Sequence, residues 1–345
     1  MARKFPIAGA SKKTNIMKCK LILIFLISYQ SYFAQTTSSE LLPYQGKKKW
    51  GYVDLNGQNQ IPEKFTYAQR FEYGVAVVSD RNSNGLYPPF VGLINLKGEL
   101  ILPVSYERIE PFSEGLAVIE KGEKWGLIDT LGKTFCPFIF DDLGTFKNGL
   151  IAARKGAYWG YSDAFGNTKI PFNYDLATPF ENGVAMVKEN GVWIIIDPSG
   201  IRINKGAWDF ADAFSEGVAG VKHNDGQFGF VDVAGNKVLE AKYTNVKPFK
   251  EQRAAVKVKG LWGFIDTNGN TIAKAVYTEV ASFSEAMALV DYQGKIGYIN
   301  TLGKVIVPAI YTTGTDFKNG IALVKDKSGN FHYINSVGKI IYSYN

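Results

Sequence analysis

The chain has 345 residues, 46% hydrophobic and 14% aromatic, with a formal net charge of +7, two cysteines and two histidines. It is long and apolar enough for a large core, and too poor in Cys and His for a metal cluster built on them or for a Cys–His nucleophile. Residues 1–34 hold six of the 39 Lys/Arg and no acid, which leaves 33 Lys/Arg against 32 Asp/Glu beyond them. Those basic residues are scattered apart from Lys47, Lys48 and Lys49, so the composition argues against nucleic-acid binding.

The front of the chain reads as a secretory signal peptide over residues 1–34, with Met17 as a possible alternative start. Lys18 and Lys20 precede an apolar run, Leu21 to Ile27, and a cleavage site is expected near Ala34. That run is too short to span a bilayer. The expected localisation is export to the periplasm, the cell surface or the medium. Cys19 leaves with the leader. Cys136 then remains alone before Pro137, with no internal disulfide to form, and reads as buried.

From residue 35 to 345 the chain repeats about every 34 residues. Gly51, Gly92, Gly126, Gly160, Gly229, Gly263 and Gly297 mark one slot, filled by Ile194 and His332 in two weaker copies, for nine copies in all. A fixed period of this size means small units that bury a core by stacking on neighbours.

Each unit reads as three short strands and a connector. The first strand resembles Gly115 to Ile119 and the second has the form WGYVD. An Asx and a Gly three residues later follow in every copy, from Asp54/Gly57 through Asp129/Gly132 to Asn335/Gly338. Asx caps such a turn through its side chain and Gly supplies φ > 0, so a tight hairpin is expected at each. The third strand is short and expected to stop at Pro62, Pro103, Pro137, Pro171 and Pro308 in five copies.

The connector carries an aromatic residue and then Phe six positions on: Phe71, Phe112, Phe146, Phe180, Phe214, Phe249, Phe283 and Phe317. Gly follows, except at Gln252 and Ala286. This spacing suggests one helical turn with a Gly cap. The connector Phe residues and Trp50, Trp125, Trp159, Trp193 and Trp262 recur in register, as core positions do. The slot glycine is expected to make room for an aromatic ring.

These residues carry a resemblance to the bacterial WG-repeat (KWG) family, named for the Trp-Gly pair in K-W-G-[YF]-[IV]-D. Val91, Phe228, Ile296 and Phe331 depart from it at the Trp slot. The resemblance implies a β-rich repeat domain, often on secreted or envelope proteins, and no enzyme activity, cofactor or defined ligand.

Both ends of the array read as complete three-stranded units, with no blade split between the termini. The expected fold is therefore all-β, an open, twisted, solenoid-like stack of about nine three-stranded meanders; a β-propeller is the alternative. The repeated Asp does not make a calcium loop, because each turn offers one carboxylate and three copies have Asn. A Ser-His-Asp triad is not excluded by counting, but no G-x-S-x-G elbow occurs. His332 reads as a degenerate terminal repeat rather than a base.

The candidate binding loop breaks the pattern: an insertion within Ser79 to Phe90 that contains Arg81, Asn82, Asn84 and Tyr87. The expected function is that of an exported, non-catalytic, monomeric scaffold for a protein or an envelope polysaccharide, with no cofactor. A structural envelope component is the alternative, and a carbohydrate-active enzyme a weaker one.

Overall fold

The structure is a computed structural model that describes residues 40–82, 88–204, 206–223 and 225–345. The leader and its cleavage site lie outside the described residues. Residues Leu41–Asn345 form one compact unit, and its nine sheets follow the sequence in order.

Seven sheets have four antiparallel strands each, ordered as in the sequence. Blade three illustrates the plan with strands Arg108–Ile109, Leu116–Lys121, Lys124–Asp129 and Thr134–Phe140. The expected three strands are present, and the connector supplies a fourth. It is only two residues long, and it pairs with the strand that follows it rather than with the unit before. The connector is thus no helical turn. It is a short first strand and a two-residue hairpin loop. In blade two, Glu72 and Val75 exchange both backbone hydrogen bonds at 2.8 and 2.9 Å. Tyr73 and Gly74 between them have φ of 51° and 79°. Two successive left-handed residues define the type I′ turn, whose twist matches that of paired strands.

Two sheets have three strands among the described residues. The first blade begins directly with Leu42–Gln45. Blade five lacks the fourth strand after Val192–Ile196. There the Asn204 side chain replaces a ladder bond, accepting from the Ile195 N–H at 2.8 Å and donating to the Gly206 carbonyl at 2.6 Å.

The open stack expected from the sequence is wrong: the blades close into a nine-bladed propeller. The last blade packs on the first, where Leu42, Tyr44 and Val53 share a core with Ile321, Tyr333 and Tyr344. The Tyr333 hydroxyl donates to the Pro43 carbonyl at 2.6 Å. Tyr52, Tyr161 and Tyr298 make the corresponding bond, each to the next blade in sequence, at 2.8 Å. Tyr333 therefore treats the first blade as its successor. Complete units at both ends are compatible with a ring because stacking of side chains, rather than a shared sheet, closes it.

The type I′ turns show where the axis lies. Glu114 accepts from the Asn148 N–H, Glu216 from Glu251 and Gln252, Glu251 from Ala286, and Glu285 from Asn319 and Gly320. Each contact joins consecutive blades. Lys318 of blade nine then pairs with Glu72 of blade two, passing over blade one. Only turns close to the axis can meet across an intervening blade, so the first strands face the centre.

The slot glycine has a different role from the one expected. A Cβ on Gly126 would stand 2.6 Å from the carbonyl oxygen of Cys136 in the fourth strand. The closest neighbour is backbone, and the Phe138 ring stands further off at 3.4 Å. The fourth strand bulges at this point, since Trp125 pairs with Phe140 but Leu127 with Cys136. Pro137 lies inside that seven-residue strand, at the bulge, and does not end it. An out-of-ladder residue needs no N–H, which suits proline.

Candidate binding surfaces

The recurrent carboxylates are engaged in building turns. Asp129 Oδ1 accepts from the N–H groups of Leu131 and Lys133, both at 2.9 Å, and Gly132 completes the hairpin. Asp163 shows the electrostatic result. Partial burial opposes its ionisation, but hydrogen bonds from Asn167, Lys169 and Phe165 outweigh it and lower its pKa to about 2. Asn95, Asn300 and Asn335 make the same pair of backbone bonds. The expected hairpins are present, and they need an oxygen rather than a charge.

The repeat aromatics are buried to differing degrees. Phe146, Phe180, Phe214, Phe249, Phe283 and Phe317 are buried, as are Trp193 and Trp262. Phe71, Phe112, Trp50, Trp125 and Trp159 are half-buried. The connector Phe meets the third-strand ring of the preceding blade: Tyr161 and Phe180 lie 4.7 Å apart and Phe264 and Phe283 5.0 Å. Tilted and edge-on pairs of this kind add to area burial. Cys136 is buried, and desolvation pushes its thiol up to about 11.

Of the candidate binding loop, Arg81 and Asn82 are described and exposed, while Asn84 and Tyr87 lie outside the described residues. The Arg81 carbonyl accepts from Thr66 Oγ1 at 2.5 Å, and its N–H donates to Ser79 Oγ at 3.1 Å. Arg81, Asn82, Pro89, Phe90, Val104 and Ser105 border an open pocket of 550 Å³. The structure thus places the described part of the insertion beside a concave surface.

A second pocket, of 620 Å³, lies where the ring closes. Trp50 and Pro43 of blade one border it with Arg70 of blade two, Glu285 of blade eight, and Asp316 and Phe317 of blade nine. Arg70 donates to the carbonyls of Ile321 and Lys318 at 3.0 and 2.8 Å. Asp316 is raised from the ordinary carboxylate range by desolvation, against the opposing pull of Lys247. The sequence reading missed this pocket. Its signal is a set of exceptions in the connector, with Arg70 and Asp316 standing where Pro111, Pro179 and Pro248 recur.

The fold and its repeated turn-and-slot chemistry define a closed β-propeller of WG units. The WG containing repeat matches residues 50–82, 92–125, 125–159, 159–193, 205–226, 228–262, 262–295 and 296–330, most of the array, and the chain belongs to that family. Among solved structures, a eukaryotic initiation factor is similar with a TM-score of 0.62 at 12% identity, covering 89% of this chain and 96% of that one. The computationally designed Ika8 protein is similar with a TM-score of 0.50 at 14% identity, covering 86% of this chain and 100% of that one. At these identities the likeness concerns the fold alone. No curated protein sequence matches the chain.

Proposed function

We propose that this propeller is an exported structural scaffold of the cell envelope whose repeated residues are not catalytic. The observation that carries this reading is the engagement of the recurrent carboxylates. Asp129, Asp163 and Asp266 hold hairpins, and Glu216, Glu251 and Glu285 tie blades six to nine in succession. Export rests on the basic and apolar leader in the sequence.

Binding of a protein or an envelope polysaccharide is the second reading. The two pockets favour it, since concave surfaces at loops and blade junctions suit a ligand. Affinity capture from envelope extracts and a glycan array, run on wild type and on Arg81→Ala and Trp50→Ala variants, tests both readings. Specific capture lost in one variant supports binding. Uniform association with the envelope that neither substitution changes supports the structural role. A chain that fractionates wholly with the cytoplasm contradicts both.

A further inference from the structure

The last blade departs from the other eight at one point. The slot that holds glycine in seven blades and isoleucine in blade five holds His332 here. The fourth strand, Ile340–Tyr344, does not bulge over this slot; it runs alongside, and His332 stands opposite Ser343. His332 Nδ1 lies 2.7 Å from Ser343 Oγ, and Nε2 lies 3.1 Å from Asp326 Oδ2. Three strands and turns of one blade therefore bring a hydroxyl, an imidazole and a carboxylate into one line.

We propose that Ser343 is a nucleophile, with His332 as its general base and Asp326 as the residue that positions His332, and that it takes acyl groups from small, unhindered esters. The arrangement has the required polarity. Asp326 is held rigidly: its Oδ1 accepts from the N–H groups of Ser328 and Asn330, and Oδ2 accepts from Asn330 Nδ2. The Asn330 bonds, with His332, hold the Asp326 carboxyl near a pKa of about 2. It therefore stays ionised and fixes the tautomer with the proton on Nε2. The Nδ1 lone pair then faces the Ser343 hydroxyl. A nucleophile within reach of a base that a third group orients is the general signature of covalent catalysis.

The His332 side chain is only 13% exposed, while Ser343 is exposed and open to a reactant. The strand that carries Ser343 is the last of its sheet. An edge strand directs alternate N–H groups out of the ladder, and such donors can take up oxyanion charge.

The chemistry balances with an ester and water alone. Ser343 Oγ attacks the ester carbonyl carbon, and its proton passes to His332 Nδ1. The bond to the alcohol oxygen breaks, and the departing alcohol takes that proton. A water molecule then attacks the acyl-serine, gives a proton to Nδ1, and releases the carboxylic acid as Ser343 recovers its own. Ser343 stands on a surface strand rather than inside a bordered cavity, so the substrate class is small activated esters.

The test uses the full chain and p-nitrophenyl acetate, with release of p-nitrophenol and mass spectrometry of the Ser343 peptide as readouts. Wild type is expected to show acetylated Ser343. Ser343→Ala abolishes that label and lowers release at least tenfold. His332→Gly, which removes the imidazole, lowers release similarly in a chain that circular dichroism shows to be folded. Asp326→Asn lowers it and displaces the pH–rate profile, which a purely structural role would not do. Absence of acetyl-Ser343 in wild type, or release unchanged in Ser343→Ala or His332→Gly, overturns the proposal and leaves the scaffold reading untouched.

Discussion

Gly297 and Val307 meet at a distance that no other residue type tolerates: a Cβ on Gly297 would lie 2.6 Å from the Val307 carbonyl oxygen. The same contact, at 2.5 to 2.7 Å, recurs at Gly51, Gly92, Gly126, Gly160, Gly229 and Gly263. Where the glycine is absent, so is the contact. Ile194 sits in the blade without a fourth strand among the described residues, and His332 in the blade whose fourth strand runs flat past its slot. The slot glycine thus records whether the outer strand crosses over.

Gly126→Ala and Gly297→Ala are therefore expected to destabilise the ring by about 1–3 kcal/mol through backbone displacement. His332→Gly should cost no more than about 1 kcal/mol, the ordinary penalty for glycine inside a strand. Urea unfolding checks both, and equal stability across the three variants would contradict the crossing-strand account.

Ala286 and Gln252 hold φ of 64° and 63° at turn positions where the other blades have glycine. An L residue in this region costs about 1–2 kcal/mol. Ala286→Gly should raise stability by about 1 kcal/mol, offset in part by the entropy that glycine gains in the unfolded chain. A lower melting temperature for Ala286→Gly would show that the turn is not strained as described.

Core and turn positions should separate in magnitude. Phe180 is 2% exposed and packs at a tilt against Tyr161, so Phe180→Ala is expected to cost about 3–5 kcal/mol. Asp129→Asn should cost far less, because Asn95 and Asn300 already accept the same two backbone bonds. Equal losses from the two substitutions would reverse the assignment.

Asp212 gives a pH dependence of definite sign. Desolvation raises its pKa from 3.8 to about 6, and its carboxyl lies beside Gly220. The unfolded chain releases this proton first, so the penalty is absent below pH 3.8, grows with rising pH, and is complete above pH 6. Asp212→Asn should therefore stabilise by about 1–2 kcal/mol at pH 7.5, after allowance for residual solvent contact. Near pH 3.5 it should change little. A constant difference across this range would contradict the burial of the charge.

The parts of this fold legible in the sequence are local ones. Asp129 and Gly132 form a hairpin by themselves, so their spacing announces it, and the connector Phe residues repeat because every blade buries one. The first strands escaped notice because two residues such as Arg108 and Ile109 show no periodicity. A type I′ turn and a helix cap look alike in the sequence because glycine supplies φ > 0 in either. Closure was illegible for a different reason: Tyr333 and Pro43 are 290 residues apart, and a neighbour-to-neighbour pattern looks the same whether its ends meet or not. Arg81 and Asn82 were found as a break in the period, whereas the closure pocket depends on which blades become adjacent.

Ring closure is tested most directly by the distance between the first and last blades. Spin labels on Lys48→Cys and Lys327→Cys, in a Cys19→Ser chain whose remaining Cys136 is buried, would sit on turns of blades one and nine. Packed sheets lie about 10 Å apart, so a closed propeller predicts a label separation of roughly 10–25 Å, whereas nine sheets stacked openly put these turns about 80 Å apart. A single short distance by pulsed electron resonance is the predicted result; a distribution lying wholly beyond about 50 Å would contradict the ring.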